Sequence, residues 1–159
     1  MALTKINNNT LSAVTTLPAA IATGKVLQVV TATDSTVRST TSTSFVTASN
    51  TLSLSITPSS ASNKILIIVT SNTSSSSDYS YYTIYKGATN LGDATYGFAS
   101  TFDANQGGTG STTAINYLDS PASTSALTYQ VYFKAAGSAT GNLNFRGSLS
   151  SITAMEISA

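Results

Sequence analysis

Residues 51–71, TLSLSITPSSASNKILIIVTS, decide the fold because they predict two β-strands separated by a break. In the first half apolar side chains alternate with hydroxyl side chains, at Leu52, Leu54 and Ile56. Such a period of two is typical of a strand with one buried and one solvated face. The break contains Pro58, which cannot donate to a strand ladder, and Ser and Asn side chains that favour turns. We interpret the whole stretch as a hairpin.

The second strand of this stretch, residues 64–70, is apolar on both faces. Its side chains divide into Ile65, Ile67 and Val69 on one face and Leu66 and Ile68 on the other. In an antiparallel protein one of these faces belongs to the core, and the other needs cover from elsewhere. We expect a neighbouring copy of the same chain to supply this cover, which makes Leu66 and Ile68 candidate interface residues.

Composition limits the possible functions of the chain. Its 159 residues suit a single domain. It has no Cys, His or Trp, so disulfide, thiolate and imidazole chemistry are excluded. A formal net charge of +1 with 8% charged residues argues against nucleic-acid binding, which depends on clustered basic side chains. About a third of the residues are Ser or Thr, but the 41% that are hydrophobic fall in short regular runs, so the chain should fold.

The acidic residues do not suggest an active site. They are scattered singly along the chain, as Asp34, Asp78, Asp93, Asp103, Asp119 and Glu156. None of the catalytic spacings appears, and no loop has the acidic density of a calcium site. We therefore expect a protein that is not an enzyme and that has no cofactor and no metal site.

Residues 1–24 differ from the rest in pattern. Asn7, Asn8 and Asn9 interrupt the apolar residues, so the pattern of a secretory signal is absent, and no apolar run is long enough to span a membrane. We interpret this segment as a short extended arm that contacts its own domain, a neighbouring subunit or a larger particle. The alternative is a frayed terminus. Residues 25–159 then form the β-domain.

The remaining chain predicts further short strands. They fall at residues 25–31, 34–44, 79–86, 112–119, 125–134, 142–147 and 149–157. We expect residues 34–44 at an edge, the last strand in the middle of a sheet, and Phe45 and Val46 in the core. Residues 72–78 and 106–111 read as exposed loops. Short strands punctuated by turn residues predict an all-β, antiparallel sandwich.

Residues 79–86, YSYYTIYK, form the most aromatic segment and have two interpretations. Tyrosines on a strand commonly pack across strands or at a subunit interface. They can also form a platform that binds sugars or another surface. We name two sets of candidates accordingly. The candidate receptor contacts are Tyr79, Tyr81, Tyr82, Asn105 and Gln106, and Tyr85 and Tyr132 join Leu66 and Ile68 as candidate oligomer contacts.

Several stretches resemble a module found in tail-fibre and other virion-surface proteins of tailed bacteriophages of aquatic bacteria, cyanobacteria among them. They are GKVLQVV at residues 24–30, TTSTSFVTASNTLSLSITPSSASNKILIIV at residues 40–69, NYLDSP at residues 116–121 and SITAMEISA at residues 151–159. The closing pattern GNLNFRGSLSSITAMEIS is similar to tumour-necrosis-factor-like and complement-type jelly rolls. The resemblance implies a two-sheet jelly-roll sandwich that forms a homotrimer.

Two functions remain open from this resemblance. The first is a tail-fibre or fibre-tip protein whose tyrosines and loops contact host surface glycan, while residues 1–24 bind other virion proteins. The second is a capsid decoration or cement protein that stabilises the head through the same arm. In both cases we expect assembly in the host cytoplasm and a place on the virion surface, with no nucleic-acid partner and no membrane insertion.

Overall fold

A computed structural model describes residues 24–103 and 109–159 of the chain. Within these residues the chain forms β-strands and one short 3-10 helix, Phe145–Gly147. The strands are β1 (Val26–Asp34), β2 (Arg38–Thr40), β3 (Ser53–Ile56), β4 (Lys64–Ser75), β5 (Tyr79–Lys86), β6 (Thr89–Asn90), β7 (Ala99–Phe102), β8 (Ser111–Asp119), β9 (Leu127–Ala135), β10 (Gly141–Leu143) and β11 (Ser150–Ile157). The predicted arm, residues 1–24, lies outside the described residues except for Gly24.

The strands form two antiparallel sheets that pack face to face. Sheet A is built around β4, which pairs with β8 on one side and with β11 and then β10 on the other. Strand β1 lies beyond β11, and β2 lies beyond β10. Sheet B has the order β3-β9-β5, with β6 and β7 both pairing with the far side of β5. The prediction of an all-β, two-sheet sandwich is confirmed, and the strand order is consistent with a jelly roll.

The core contains the apolar side chains that the period-two alternation predicted on the inward faces of the strands. The inward side chains of β3, β4, β5 and β9 are buried together with residues of β8, β10 and β11. The largest of them are Leu52, Ile56, Ile65, Ile67, Ile84, Tyr82, Tyr129, Phe133, Leu143 and Ile152. Strand β11 lies in the middle of sheet A and β2 lies at its edge, both as expected.

The predicted hairpin is wrong. Strand β3 pairs with β9 in sheet B, whereas β4 belongs to sheet A. The break between them therefore carries the chain from one sheet to the other. Both strands still bury one face, because Ile56 and Ile65 approach the same core from opposite sheets.

The exposed loop predicted at residues 72–78 is also wrong. Strand β4 continues to Ser75, and the side chains of Thr73, Ser74 and Ser75 are buried. Their hydroxyl groups find partners on other strands: Thr73 Oγ1 lies 2.7 Å from Thr113 Oγ1, and Ser80 Oγ donates to Ser75 Oγ at 2.8 Å. Because each buried hydroxyl is hydrogen-bonded, a Ser-rich segment can continue a strand inside the sandwich.

The strand predicted at residues 142–147 is shorter than expected. Strand β10 ends at Leu143, and the chain then turns through left-handed backbone angles at Asn144 (φ 57°) and Arg146 (φ 59°). These angles are incompatible with an extended strand. Phe145 therefore belongs to the 3-10 helix rather than to a sheet.

Candidate functional site

The outer face of sheet B carries two groups of aromatic side chains. They are Phe45, Tyr79, Tyr81, Tyr85, Tyr96, Phe102 and Tyr132. Together with Lys134 they form what we call the aromatic belt. The strand register places Tyr79 opposite Phe102 and Tyr81 opposite Lys134. The belt therefore follows β5 and extends onto both neighbouring strands.

One half of the belt surrounds Tyr79 and Tyr81. Their rings are stacked with centroids 5.9 Å apart, and the Phe102 ring lies 4.7 Å from that of Tyr79. Tyr96 meets Tyr81 edge to face at 5.5 Å. Phe102 and Tyr96 are 56% and 61% exposed, so this half of the belt is open to solvent.

The other half of the belt consists of Phe45, Tyr85 and Tyr132. The rings of Tyr85 and Tyr132 are stacked with centroids 4.0 Å apart, and Phe45 meets Tyr85 edge to face at 6.4 Å. Phe45 was expected in the core, but it is only half-buried and lies on this outer face. Val46 bridges to Phe133 of β9, whose side chain is buried, and neighbouring positions of an extended chain point to opposite faces, so Phe45 points outward. Val46, which was also expected in the core, is only half-buried and does not belong to the core cluster.

Lys134 joins the two halves of the belt. Its Nζ lies 4.7 Å from the centroid of the Phe45 ring and 5.6 Å from that of Tyr81. Both distances suit cation–π attraction. Within the described residues the ion pairs are Arg38–Asp34 and Lys86–Asp119, so Lys134 has no carboxylate within ion-pair distance.

The outer face of sheet A is aliphatic instead. The register aligns Val29, Met155, Leu66 and Leu118 in one row across four strands. Val29 and Leu118, at the two ends of this row, are 54% and 48% exposed. We call this row, together with Ile68 of the next row, the aliphatic face. Strand β1 forms its border and has no strand partner on its other side within the described residues.

The candidate oligomer contacts divide between these two faces. Leu66 and Ile68 lie on the aliphatic face, as the sequence predicted, and both are half-buried. Tyr85 and Tyr132 contact each other in the aromatic belt. The four residues therefore belong to surfaces on opposite sides of the sandwich.

Three of the five candidate receptor contacts lie within the described residues, and two of these three belong to the aromatic belt. Tyr79 and Tyr81 lie in the aromatic belt, but Tyr82 is only 1% exposed, so its prediction as a receptor contact is wrong. Its side chain points into the sandwich, and its hydroxyl lies within hydrogen-bonding distance of Ser74 O, Thr101 Oγ1 and Asn142 O. Asn105 and Gln106 lie outside the described residues.

Sequence reasoning missed several members of both faces. It did not single out Phe45, Tyr96, Phe102 and Lys134 of the belt or Val29, Leu118 and Met155 of the aliphatic face. The predicted strand over residues 125–134 did place Tyr132 and Lys134 at outward positions. An aromatic ring beside a lysine on one outward face could therefore have indicated this part of the belt. Phe102 and Val29 required the pairing of distant strands.

The buried carboxylates hold loops and strands in place. Glu156 accepts hydrogen bonds from Gln28 Nε2, Asn63 Nδ2 and both the backbone N–H and hydroxyl of Ser59, at 2.6 to 2.8 Å. Burial raises the pKa of this carboxyl, but the hydrogen bonds from Asn63, Gln28 and Ser59 outweigh it and hold the pKa at about 2. The Glu156 carboxylate thus ties the 57–63 connection to β11.

Asp119 and Asp34 also accept hydrogen bonds that connect separate parts of the chain. Asp119 accepts hydrogen bonds from Lys86 Nζ at 2.8 Å and from Tyr129 Oη at 2.6 Å, which joins sheet A to sheet B. Asp34 accepts from the backbone N–H of Thr51 and from Arg38 Nε, both at 3.0 Å. Each carboxylate is engaged with groups of its own chain.

In the parts of the chain that the structure describes, no group of three or more acidic side chains is placed to hold a metal ion. No helix among the described residues has the length and apolar character needed to cross a membrane.

Comparison with known proteins adds no assignment. No protein-family model matches the chain, and no curated protein matches it. The fold and the two outer faces therefore define its class: an all-β antiparallel sandwich with an aromatic belt on one outer face and an aliphatic face on the other.

Proposed function

We propose that this chain is a non-enzymatic virion-surface protein of a tailed bacteriophage that assembles as a homotrimer and contributes to host-surface attachment. The observation that supports the proposal is the contrast between the two outer faces. Each exposes apolar side chains that the described residues leave uncovered, and contiguous apolar surface of this kind marks interaction sites. The proposal assigns a different partner to each face.

The aliphatic face is the proposed contact between copies of the chain. Its row of Val29, Met155, Leu66 and Leu118 contains no charged side chain. Interface cores are depleted in charge and packed like protein interiors, so such a row suits a permanent contact. In a trimer each copy uses two different patches, and the edge of β1 that has no strand partner within the described residues offers the second.

The aromatic belt is the proposed receptor-facing surface. Burying it against another copy would desolvate the ammonium of Lys134, which forms no ion pair within the described residues. An unpaired buried charge is strongly unfavourable. Tyrosines with an apolar ring and a polar tip suit a partner that is partly apolar and partly hydroxylated, as a sugar is. Host surface glycan fits this description.

Residues 1–24 are the proposed attachment to other virion proteins. All but Gly24 lie outside the described residues, so the proposal for them rests on the sequence alone. Gly24 lies two positions before β1, which borders the aliphatic face. The segment therefore joins the domain next to the proposed contact between copies.

Immunogold electron microscopy of phage particles tests the proposal. An antibody raised against the purified chain should place gold along or at the end of tail fibres. Particles incubated with antibody that was first absorbed on the purified chain serve as the control and should stay unlabelled. Gold spread over the capsid would make the chain a decoration protein instead, and particles without gold would contradict a place on the virion.

A further inference from the structure

We infer that the ligand of the aromatic belt is an acidic oligosaccharide whose carboxylate binds the ammonium of Lys134 while its sugar rings pack on the neighbouring aromatic side chains. This inference rests on the proposed attachment function and specifies the chemistry of its receptor. The belt combines one cation with aromatic rings on both sides, and an acidic oligosaccharide offers a group that suits each of them.

The position of Lys134 favours an anionic ligand. Its ammonium is held over the rings of Phe45 and Tyr81 rather than extended into solvent. Cation–π attraction restrains a flexible lysine side chain, so less freedom is lost when an anion binds. Because Lys134 has no ion pair within the described residues, its charge is available to a ligand.

The two carboxylates beside the belt, Asp93 and Asp78, do not lie within ion-pair distance of Lys134. Asp93 Oδ1 accepts hydrogen bonds from the backbone N–H groups of Thr95 and Tyr96, at 2.8 and 2.7 Å. These two bonds, and to a smaller extent the charge of Lys134, lower the pKa of Asp93. Asp78 Oδ1 likewise accepts from the backbone N–H of Tyr79 at 2.7 Å. Both carboxylates border the belt and would repel an anion placed away from Lys134.

The length of the belt also favours an oligosaccharide. Aromatic rings lie on both sides of Lys134, with Tyr79 and Phe102 at one end and Tyr85 and Tyr132 at the other. From Tyr79 to Tyr85 strand β5 extends over about 20 Å. That length suits several linked sugars. The apolar faces of the sugars can pack on rings at both ends while one acidic sugar reaches the central lysine.

The hydroxyl groups of the belt suit the same ligand. Burial and the neighbouring Tyr96 and Asp78 raise the pKa of Tyr81, so its phenol stays protonated at neutral pH. A protonated phenol can both donate and accept a hydrogen bond. It can therefore bind sugar hydroxyls beside a carboxylate without repelling that carboxylate.

Calorimetric titration with defined oligosaccharides tests the inference. The probes are uronic-acid and sialic-acid oligosaccharides and neutral oligosaccharides of equal length. At least one acidic probe should bind the wild type about tenfold or more tighter than its neutral counterpart, because charge-assisted contacts are stronger than neutral ones. The difference should shrink as salt is added.

Three variants make the test specific. Lys134→Gln should weaken binding of the acidic probe about tenfold or more, while Lys134→Arg should retain most of it. Lys64→Gln removes an exposed lysine at the border of the opposite sheet face and should bind as the wild type does. Circular dichroism of each variant confirms that it is folded.

The outcomes separate this inference from the proposed function. Equal binding of acidic and neutral probes, or an unaffected Lys134→Gln variant, overturns the inference and leaves attachment standing. Absence of binding to every acidic probe also overturns it if the purified protein still blocks phage adsorption. If the purified protein does not block adsorption at all, the attachment function itself fails.

Discussion

Asn63 Nδ2 donates a hydrogen bond to Glu156 Oε1 at 2.6 Å, across 93 positions of sequence. Asn63 ends the connection between β3 and β4, and Glu156 lies in the last strand of sheet A. The connection that carries the chain from one sheet to the other is therefore fastened to the end of the chain by a buried carboxylate. This contact holds the connection in place where it crosses between the sheets, whereas β3 pairs with β9 rather than with β4.

Acid should destabilise the protein through Glu156. Its pKa is lowered from 4.5 to about 2 by its hydrogen-bond donors, so its contribution to stability is complete above pH 4.5 and is lost as the pH falls towards 2. Glu156→Gln should lower the free energy of unfolding at pH 7 by about 2–3 kcal/mol, because charged hydrogen bonds are lost and an amide group faces buried donors. Urea unfolding at pH 7 and at pH 3 measures both effects.

The matched control for this prediction is Ser62→Ala. Ser62 lies in the same connection, but its hydroxyl contacts Ser60 rather than Glu156. Its unfolding curves should match the wild type at both pH values. If Glu156→Gln lost as much stability between pH 7 and pH 3 as the wild type does, the role of this carboxylate would be refuted.

The buried hydroxyl pair of Thr73 and Thr113 should be coupled. Thr73→Val alone leaves Thr113 Oγ1 without its partner at 2.7 Å and should cost about 1–2 kcal/mol of unfolding free energy. The double variant Thr73→Val, Thr113→Val removes both hydroxyls and should cost less than the sum of the two single variants by at least about 0.5 kcal/mol. Additive losses in a double-mutant cycle would show that the pair does not stabilise the strand.

The aliphatic face should hold copies of the chain together. Light scattering of the purified wild type should give three times the chain mass of 16.3 kDa. Leu66→Glu places a charge at the centre of the aliphatic row and should give a folded monomer, because burying an unpaired charge in the contact is unfavourable. Thr128→Glu adds the same charge to the exposed outer face of sheet B and should remain a trimer.

A monomeric wild type at micromolar concentration would contradict this assignment. An oligomer that survives Leu66→Glu but is lost in Thr128→Glu would place the contact on sheet B instead. In that case the aromatic belt would be an interface between copies, which is the subunit-interface interpretation of the tyrosines of residues 79–86.

The sequence predicted which side chains enter the core. Period-two alternation identified the buried faces of β3, β4 and β9, because side-chain direction in a strand depends only on position. It also separated Leu66 and Ile68 from the core face of β4. For the same reason Tyr132 and Lys134 were correctly placed on an outward face.

Sheet pairing and long-range hydrogen bonds could not be read from the sequence. Nothing in the sequence near Ser59 or Asn63 indicates that Glu156 will accept their hydrogen bonds. The buried hydroxyls of residues 73–75 look like an exposed loop by composition, because their partners lie on distant strands. Tyr82 directly follows Tyr81 in the sequence, but its position on the strand points its side chain into the core.

The most direct test of the account is an adsorption competition. Purified wild-type protein, added to host cells before phage, should slow phage adsorption. The double variant Tyr79→Ser, Phe102→Ser removes the open end of the aromatic belt and should lose this effect, whereas Val37→Ser, which removes an exposed apolar side chain outside both faces, should keep it. A wild-type protein that leaves adsorption unchanged, or a belt variant that competes as well as the wild type, would contradict attachment through the aromatic belt.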